Sequence, residues 1–205
     1  KELKDIITIT YAVGGAGAQT EIAAQMLEGL VPLIRTGKIR INLAAGVRRK
    51  VYQFFTTLTD KMGLYKDRSV NIIYSDDFEK YYKSFNAVLR STDILWTKPS
   101  ELSFYCGLGL PVIMAPSIGP HEASNRLWLQ RVGAGIQQED AKYCGEWILD
   151  FLADGSMAQA AWDGFLNARK LGTYKIKEAI EKGTITSEIL MQKMDLDGRS
   201  EYSCV

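Results

Sequence analysis

The chain has 205 residues, enough for one domain with a substantial core or for one domain with a small appendage. Its 46% hydrophobic and 24% charged residues are ordinary for a globular protein, and no apolar run in the sequence is long enough to span a bilayer. The net charge of +1 gives no reason to expect a nucleic-acid partner.

Strand and helix patterns alternate along the first two thirds of the chain. The predicted strands, rich in β-branched residues, cover Asp5–Val13, Ile39–Ala45, Val70–Ser75, Asp93–Thr97, Val112–Pro116 and Gly135–Gln137. The predicted helices between them cover Gln19–Thr36, Arg48–Met62, Asp77–Arg90, Ser100–Leu108 and His121–Val132. Because buried strands that alternate with helices form parallel sheets, the pattern predicts an α/β fold with a doubly wound, Rossmann-like parallel sheet of about six strands.

From Ala141 onward the pattern is helical only. Helices are predicted over Ala141–Ala153, Met157–Lys170 and Tyr174–Lys182, and the polar end Asp195–Val205 is expected to fray. We therefore predict a Rossmann-like domain over residues 1–140, and a C-terminal helical segment over 141–205 that packs on the same domain.

Three cysteines, Cys106, Cys144 and Cys204, have neither a metal-binding nor a redox spacing. Cys106 and Cys144 lie in apolar helix patterns and are expected to be small buried residues. The odd count favours a reducing compartment, so we expect a cytoplasmic protein. We expect no metal site, because His121 is the only histidine and one His beside one Glu does not make such a site.

The first strand is followed by a glycine-rich loop, Gly14–Gln19, which opens a helix. Glycines there allow the backbone to approach a phosphate closely, next to the positive end of the helix. The loop is not a dinucleotide fingerprint, since Thr20 stands where the third glycine belongs, and no Gly-Lys-Ser/Thr of a P-loop follows. A tight turn without a ligand is the alternative.

The fourth strand ends in Thr97 and Lys98, and a helix follows Pro99. A lysine at this junction can neutralise a diphosphate, and Ser100 can bond to a phosphate oxygen. Alternatively, Thr97 or Lys98 only caps the helix. Glu101 is a first-turn carboxylate, which the helix dipole favours with or without a function.

The fifth strand ends in a loop with Gly119-Pro120, which opens a helix carrying His121, Glu122 and Asn125. Glu122 and Asn125 are three residues apart and therefore lie on one helix face. A carboxylate and an amide together suit sugar hydroxyls, which need both acceptors and donors. A capping pair on a solvated face is the alternative.

These motifs resemble the nucleotide-sugar half of GT-B glycosyltransferases. The closest resemblance is to the monogalactosyldiacylglycerol synthases and to the N-acetylglucosaminyltransferase of peptidoglycan synthesis. It covers about residues 5–138, since the glycine-rich loop matches as well. The run that carries it comprises Thr97-Lys98, Gly109-Leu110-Pro111, Pro116, Gly119, Glu122 and Asn125.

The resemblance implies a donor site for a nucleoside-diphosphate sugar, most simply a UDP-sugar. The donor-binding residues that it implies are Gly15, Ala16, Gly17, Gln19, Thr97, Lys98, Ser100, Glu101, Gly119, Pro120, His121, Glu122 and Asn125. The families' ribose-binding Glu falls on Phe104 here, and Glu101, one turn earlier, is the candidate substitute. No catalytic residue is assigned, although His121 and Glu122 are candidates.

The resemblance also implies an enzyme, a glycosyltransferase that transfers a hexose or an N-acetylhexosamine. It would need no cofactor, and the nucleotide sugar would be its substrate. The acceptor is expected on an N-terminal lobe absent from this chain, so the fragment alone is expected to be inactive. The basic run Arg48-Arg49-Lys50 leaves peripheral contact with an anionic membrane open beside a plain solvated face. The alternatives are a GT-B-fold sugar-nucleotide epimerase and a non-catalytic nucleotide-sugar-binding or scaffold protein.

Overall fold

The computed structural model describes residues 6–13, 19–65, 68–99, 102–117 and 119–182. Within these ranges the strands form one six-stranded sheet in which every neighbouring pair is parallel. The strands are β1 (Ile7–Ala12), β2 (Ile39–Gly46), β3 (Val70–Tyr74), β4 (Ile94–Thr97), β5 (Val112–Met114) and β6 (Gly135–Gln137).

The helices connect successive strands and then continue beyond the sheet. They are α1 (Thr20–Arg35), α2 (Arg49–Lys61), α3 (Phe78–Leu89), α4 (Leu102–Gly107), α5 (Pro120–Arg131), α6 (Cys144–Ala153), α7 (Ser156–Asn167) and α8 (Gly172–Lys182). A 3₁₀ turn, Ala141–Tyr143, precedes α6. α5 begins one residue earlier than predicted, because Pro120 fits the first helical position after the extended Gly119.

The strand order is β3-β2-β1-β4-β5-β6. The chain thus builds outward from β1 in one direction and then from β4 in the other, which places helices on both faces of the sheet. The predicted doubly wound parallel sheet is confirmed. The reversal of strand order lies between β1 and β4, and this is where such sheets bind ligands.

One face of the sheet, which we call the first face, carries the largest apolar core. Helices α1, α2 and α6 pack on it, and its fully buried side chains include Tyr11, Phe55 and Trp96. The Trp96 ring meets the rings of Tyr11 and Trp147 edge to face, at centroid distances of 6.1 and 5.3 Å. Such pairs add stabilisation beyond the burial of apolar area.

Two glycines let α1 and α6 approach closely on the first face. A Cβ atom at Gly29 would lie 2.6 Å from the carbonyl oxygen of Lys142, and one at Gly145 would lie 2.6 Å from that of Gly29. No larger residue fits without moving one backbone against the other.

The opposite face, which we call the second face, is covered by α3, α4 and α5 and carries two smaller apolar clusters. A chain of hydrogen-bonded polar side chains also crosses it. The Asn71 amide donates to Asn42 (3.2 Å), Asn42 donates to Thr10 (3.2 Å), and Thr10 bonds to Thr92 (2.6 Å). Thr92 donates to the carbonyl oxygen of Val88, so the Thr10 hydroxyl is the donor to Thr92.

The chain divides into two compact units between Ala168 and Arg169. In the first unit, α6 packs on α1, and α7 packs on α4 and β6. α7 ends at Asn167, earlier than the predicted Lys170, because Ala168 adopts an extended backbone. In the second unit the structure describes helix α8.

Candidate functional site

Three strand-to-helix junctions lie at the carboxyl edge of the sheet, beside the reversal of strand order. β1, β4 and β5 are neighbours, and Ala12 pairs with Thr97, which pairs with Met114. Since the three strands are parallel, the chain leaves all of them at the same edge. Open α/β sheets bind their ligands at this place.

Lys98 and Glu122, which the resemblance assigns to the donor site, form an ion pair with each other. Lys98 Nζ lies 2.6 Å from Glu122 Oε1, and the two side chains are only 18% and 13% exposed. The bond links the junction after β4 to the first turn of α5. A ligand phosphate at this position would compete with Glu122 for the ammonium group.

A second bond joins the same two junctions, since the Asn125 amide donates to the carbonyl oxygen of Pro99 at 3.1 Å. Thr97, which was also predicted to bind the donor, makes its side-chain bond within the sheet. Its side chain is buried, and its hydroxyl donates to the carbonyl oxygen of Ala12 in β1 at 3.1 Å. Thr97 therefore holds two strands together at the site's floor.

The N-terminus of α5 faces the same edge. Gly119 precedes the helix with an extended backbone, Pro120 occupies its first turn, and His121 is exposed to solvent. Pro120 has no N–H group, and the Glu122 N–H donates to the carbonyl oxygen of Gly119 at 3.1 Å. The first turn therefore offers the His121 N–H and the partial positive charge of the helix end. This end of α5 therefore suits a negatively charged group.

Gln19 connects the β1–α1 junction to the β5–α5 junction. Its side-chain amide donates to the carbonyl oxygen of Pro116 at 2.6 Å, and its own carbonyl oxygen accepts from the Tyr11 hydroxyl at 2.8 Å. Within the described residues it is the one non-glycine with positive φ, 71°. Such a backbone costs energy and is held by its surroundings, here by these two bonds.

Five predicted donor-binding residues, Gly15, Ala16, Gly17, Ser100 and Glu101, lie outside the described residues. Phe104, at the position of the families' ribose-binding Glu, is 62% exposed on α4 and contacts the Tyr105 ring. An apolar ring cannot accept hydrogen bonds from ribose hydroxyls, so Phe104 does not take over that role.

The structure also shows a polar cleft that the sequence analysis missed. It lies between the carboxyl ends of β5 and β6 and has a volume of about 240 Å³. Its described lining is Met114, Ala115, Pro116, Ser117, Arg126, Gln137 and Gln138. The only sequence signal was the pair of glutamines at the end of a short strand.

The shifted pKa values near the core come from burial. Burial raises the pKa of Tyr11, which keeps the hydroxyl next to Gln19 neutral. Burial also raises the pKa of the Cys106 thiol, and that of Cys144 to about 12. Both thiols are buried, as predicted, and a protonated thiol is a poor nucleophile and metal ligand.

The described residues bring no three His, Cys, Asp or Glu side chains together in a way that could hold a metal ion. Among the described helices, none combines the length and the apolar character needed to cross a membrane.

The sequence family described as Domain of unknown function (DUF6938) matches residues 52–182. No curated protein matches the chain. Solved structures of the same fold include a proposed UDP-N-acetylglucosamine 2-epimerase from Listeria monocytogenes, 15% identical over 88% of this chain and 46% of its own, with a TM-score of 0.61. MurG from Acinetobacter baumannii is 15% identical over 88% of this chain and 51% of its own, with a TM-score of 0.58.

A third similar structure is the C-terminal domain of LpcC, a glycosyl transferase group 1 family protein from Francisella tularensis. It is 12% identical over 78% of this chain and 82% of its own, with a TM-score of 0.52. The chain thus spans about half the length of the first two structures. At these identities the similarity concerns the fold, and the predicted Rossmann-like fold, which these structures share, is confirmed.

Proposed function

The chain belongs to the DUF6938 family, and we propose that it is the donor-binding half of a glycosyltransferase. In this proposal a hexose or N-acetylhexosamine is transferred from a nucleoside-diphosphate sugar, UDP-linked, to an acceptor bound by a second lobe outside this chain. Two similar structures support the choice of donor class: one is a proposed UDP-N-acetylglucosamine 2-epimerase, and one is a glycosyl transferase domain.

The observation that carries the proposal is the pair of bonds between the β4 and β5 junctions. Lys98 bonds to Glu122, and Asn125 bonds to Pro99, across 24 and 26 residues of sequence. The four residues therefore line one position at the carboxyl edge of the sheet, between the β4 and β5 junctions and beside the reversal of strand order. A cation, a carboxylate and an amide at this position offer the charge and the hydrogen bonds that a sugar diphosphate needs.

In the proposed reaction the bond between the sugar C1 and the diphosphate oxygen breaks, and an acceptor oxygen bonds to C1. The departing diphosphate takes the electron pair of the broken bond. Lys98 and the N-terminus of α5 stabilise that charge electrostatically. Glu122 turns from Lys98 to the sugar hydroxyls, with His121 beside it, and the base that accepts the acceptor's proton lies on the second lobe.

The test is a calorimetric titration of the protein with UDP. The K98A variant should bind UDP about 10- to 100-fold more weakly, as expected for the loss of a charge-assisted hydrogen bond. The E122Q variant frees the ammonium group and should bind UDP at least as tightly as the wild type. K83A, which removes an exposed lysine of α3, is the matched control and should not change the affinity.

Equal UDP affinities of wild type, K98A and E122Q would mean that the ion pair is a structural link between junctions.

A thermal-shift series with UDP, GDP, ADP and dTDP identifies the base, since a ligand that binds only the folded state raises the apparent stability. The isolated chain should bind the preferred nucleotide weakly and transfer no sugar, because one wall of the cleft is missing.

The epimerase is the second candidate, because its fold similarity to this chain is as strong as that of MurG. Product analysis with UDP-N-acetylglucosamine and a protein that carries the proposed second lobe separates the two functions. Release of UDP with glycosylation of an acceptor supports the transferase. A change of configuration at C2 without an acceptor supports the epimerase, and binding without either product supports a scaffold.

A further inference from the structure

The polar cleft between β5 and β6 is lined by side chains that the proposed donor site does not use. Arg126 lines it from α5, Ser117 from the loop after β5, and Gln137 and Gln138 from the end of β6. Its volume of about 240 Å³ lies below the range of sites that enclose a whole drug-sized ligand. The cleft therefore fits a small ligand or one group of a larger ligand.

Two polar atoms in the cleft are buried without a hydrogen-bond partner among the described residues. They are the Oγ atom of Ser117 and the Nε atom of Arg126. Buried polar atoms without a partner are rare in native proteins, because each has given up its bonds to water. Both atoms can donate, so a group that accepts two hydrogen bonds would satisfy them together.

The charge in the cleft favours an anion. The guanidinium of Arg126 is always charged, and none of the described lining residues carries a carboxylate. Its Nη1 makes one long contact, 3.4 Å, with the neutral Oε1 of Gln137. The Oε1 of Gln138 already accepts from the Trp96 indole at 2.8 Å, which orients this amide.

We propose that Ser117 and Arg126 form the centre of a binding site for an anionic oxygen group, a carboxylate or a phosphoryl group. The site is separate from the proposed nucleotide site, although both use α5. Glu122 bonds to Lys98 beside β4, whereas Arg126, one helical turn further along, bonds to Gln137 beside β6. Pro116 lines the cleft, and its carbonyl oxygen accepts a hydrogen bond from the side chain of Gln19.

The test is a ¹H–¹⁵N NMR titration of the whole chain with sodium phosphate and, separately, with sodium malonate. Ionic strength is held constant with sodium chloride, so that only specific binding moves the signals. The Arg126 Nε–H and Trp96 indole N–H resonances should shift and saturate. In the R126M variant the indole response should require at least about tenfold more anion, because the charge-assisted bonds are lost. R131M, which removes an exposed arginine of the same helix, is the matched control and should titrate like the wild type.

A response to phosphate alone assigns a phosphoryl group, a response to malonate alone assigns a carboxylate, and responses to both assign a general anion site. If neither probe moves the Arg126 resonance up to about 50 mM, a concentration well above a weak millimolar Kd, the proposal is wrong. It is equally wrong if R126M titrates like the wild type. If R126M does not fold, S117A takes its place, with a several-fold weaker response expected.

UDP affinity distinguishes this proposal from the donor-site proposal. R126M should bind UDP like the wild type, whether or not K98A loses UDP binding. If R126M weakens UDP binding as much as K98A does, the cleft belongs to the nucleotide site, and the separate site does not exist.

Discussion

The two faces of the sheet are built differently. The first face carries one continuous apolar core, with Tyr11, Phe55 and Trp96 fully buried. The second face divides its apolar residues between two smaller clusters, and polar side chains from Asn71 to Thr92 cross it. The helices that follow the β4 and β5 junctions, α4 and α5, both pack on the second face.

This difference suggests a division of labour within one sheet. Large apolar side chains that are removed from water supply most of the stability of such a domain. The helices of the second face are attached by less apolar surface, so polar groups at their N-termini can be arranged for a ligand. We therefore expect substitutions on the first face to affect folding most, and those near α5 to affect binding.

The largest effect is expected at Phe55 on the first face. F55A should lower the free energy of unfolding by about 3–5 kcal/mol, since it leaves a cavity in a fully buried site. F85A, in a smaller cluster of the second face, should cost about 1 kcal/mol less, because the site is slightly exposed and can collapse more easily. Urea denaturation of both variants measures the difference.

The control for Phe55 is its neighbour Phe54, which is 37% exposed. F54A should cost less than about 1 kcal/mol. If F85A proves as costly as F55A, the two faces contribute equally, and the proposed division of labour is wrong.

A smaller effect is expected in the polar chain of the second face. Asn42 is buried, accepts from Asn71 and donates to Thr10, so N42A should lower the free energy of unfolding by about 1–3 kcal/mol. N71A should cost about 1 kcal/mol or less, because Asn71 is exposed and water can replace it. If urea denaturation shows a larger loss of stability for N71A than for N42A, Asn42 is not the residue that anchors the polar chain.

Much of the fold could be predicted because it depends on local patterns. Local structure follows from β-branched strands, from helix periodicity and from single residues such as Pro120. The alternation of strands and helices then restricts the sheet to a parallel, doubly wound form. Boundaries shifted where a single backbone conformation decided them, as at Ala168.

The contacts within the site could not be predicted in the same way. Lys98 and Glu122 were each assigned to the ligand, and nothing in a sequence shows that two residues 24 positions apart bond to each other. Arg126 was not among the predicted site residues, because its contact with Gln137 depends on how α5 packs over β6. The close approach at Gly29 and Gly145 likewise depends on tertiary structure.

The effect at Cys144 on the first face is absent at neutral pH and appears only in alkaline solution. Burial raises the pKa of its thiol from 9.0 to about 12, so the folded protein keeps the proton while the unfolded chain loses it. Stability from this group is therefore complete below pH 9 and decreases as the pH rises from 9 towards 12, by up to about 1.4 kcal/mol per pH unit. C144A should flatten this decline, as urea denaturation at several pH values can measure.

The stability of C144A at each alkaline pH is compared with its own stability at neutral pH. This is needed because the substitution also removes the bond from the thiol to the carbonyl oxygen of Met26. Only the slope above pH 9 then reports on ionisation. C106A provides the same measurement for the second face, where burial also raises the pKa of a thiol. If wild type and C144A lose stability in parallel between pH 9 and 11, water reaches Cys144 in the folded protein. The core of the first face would then be less tightly closed than its burial indicates.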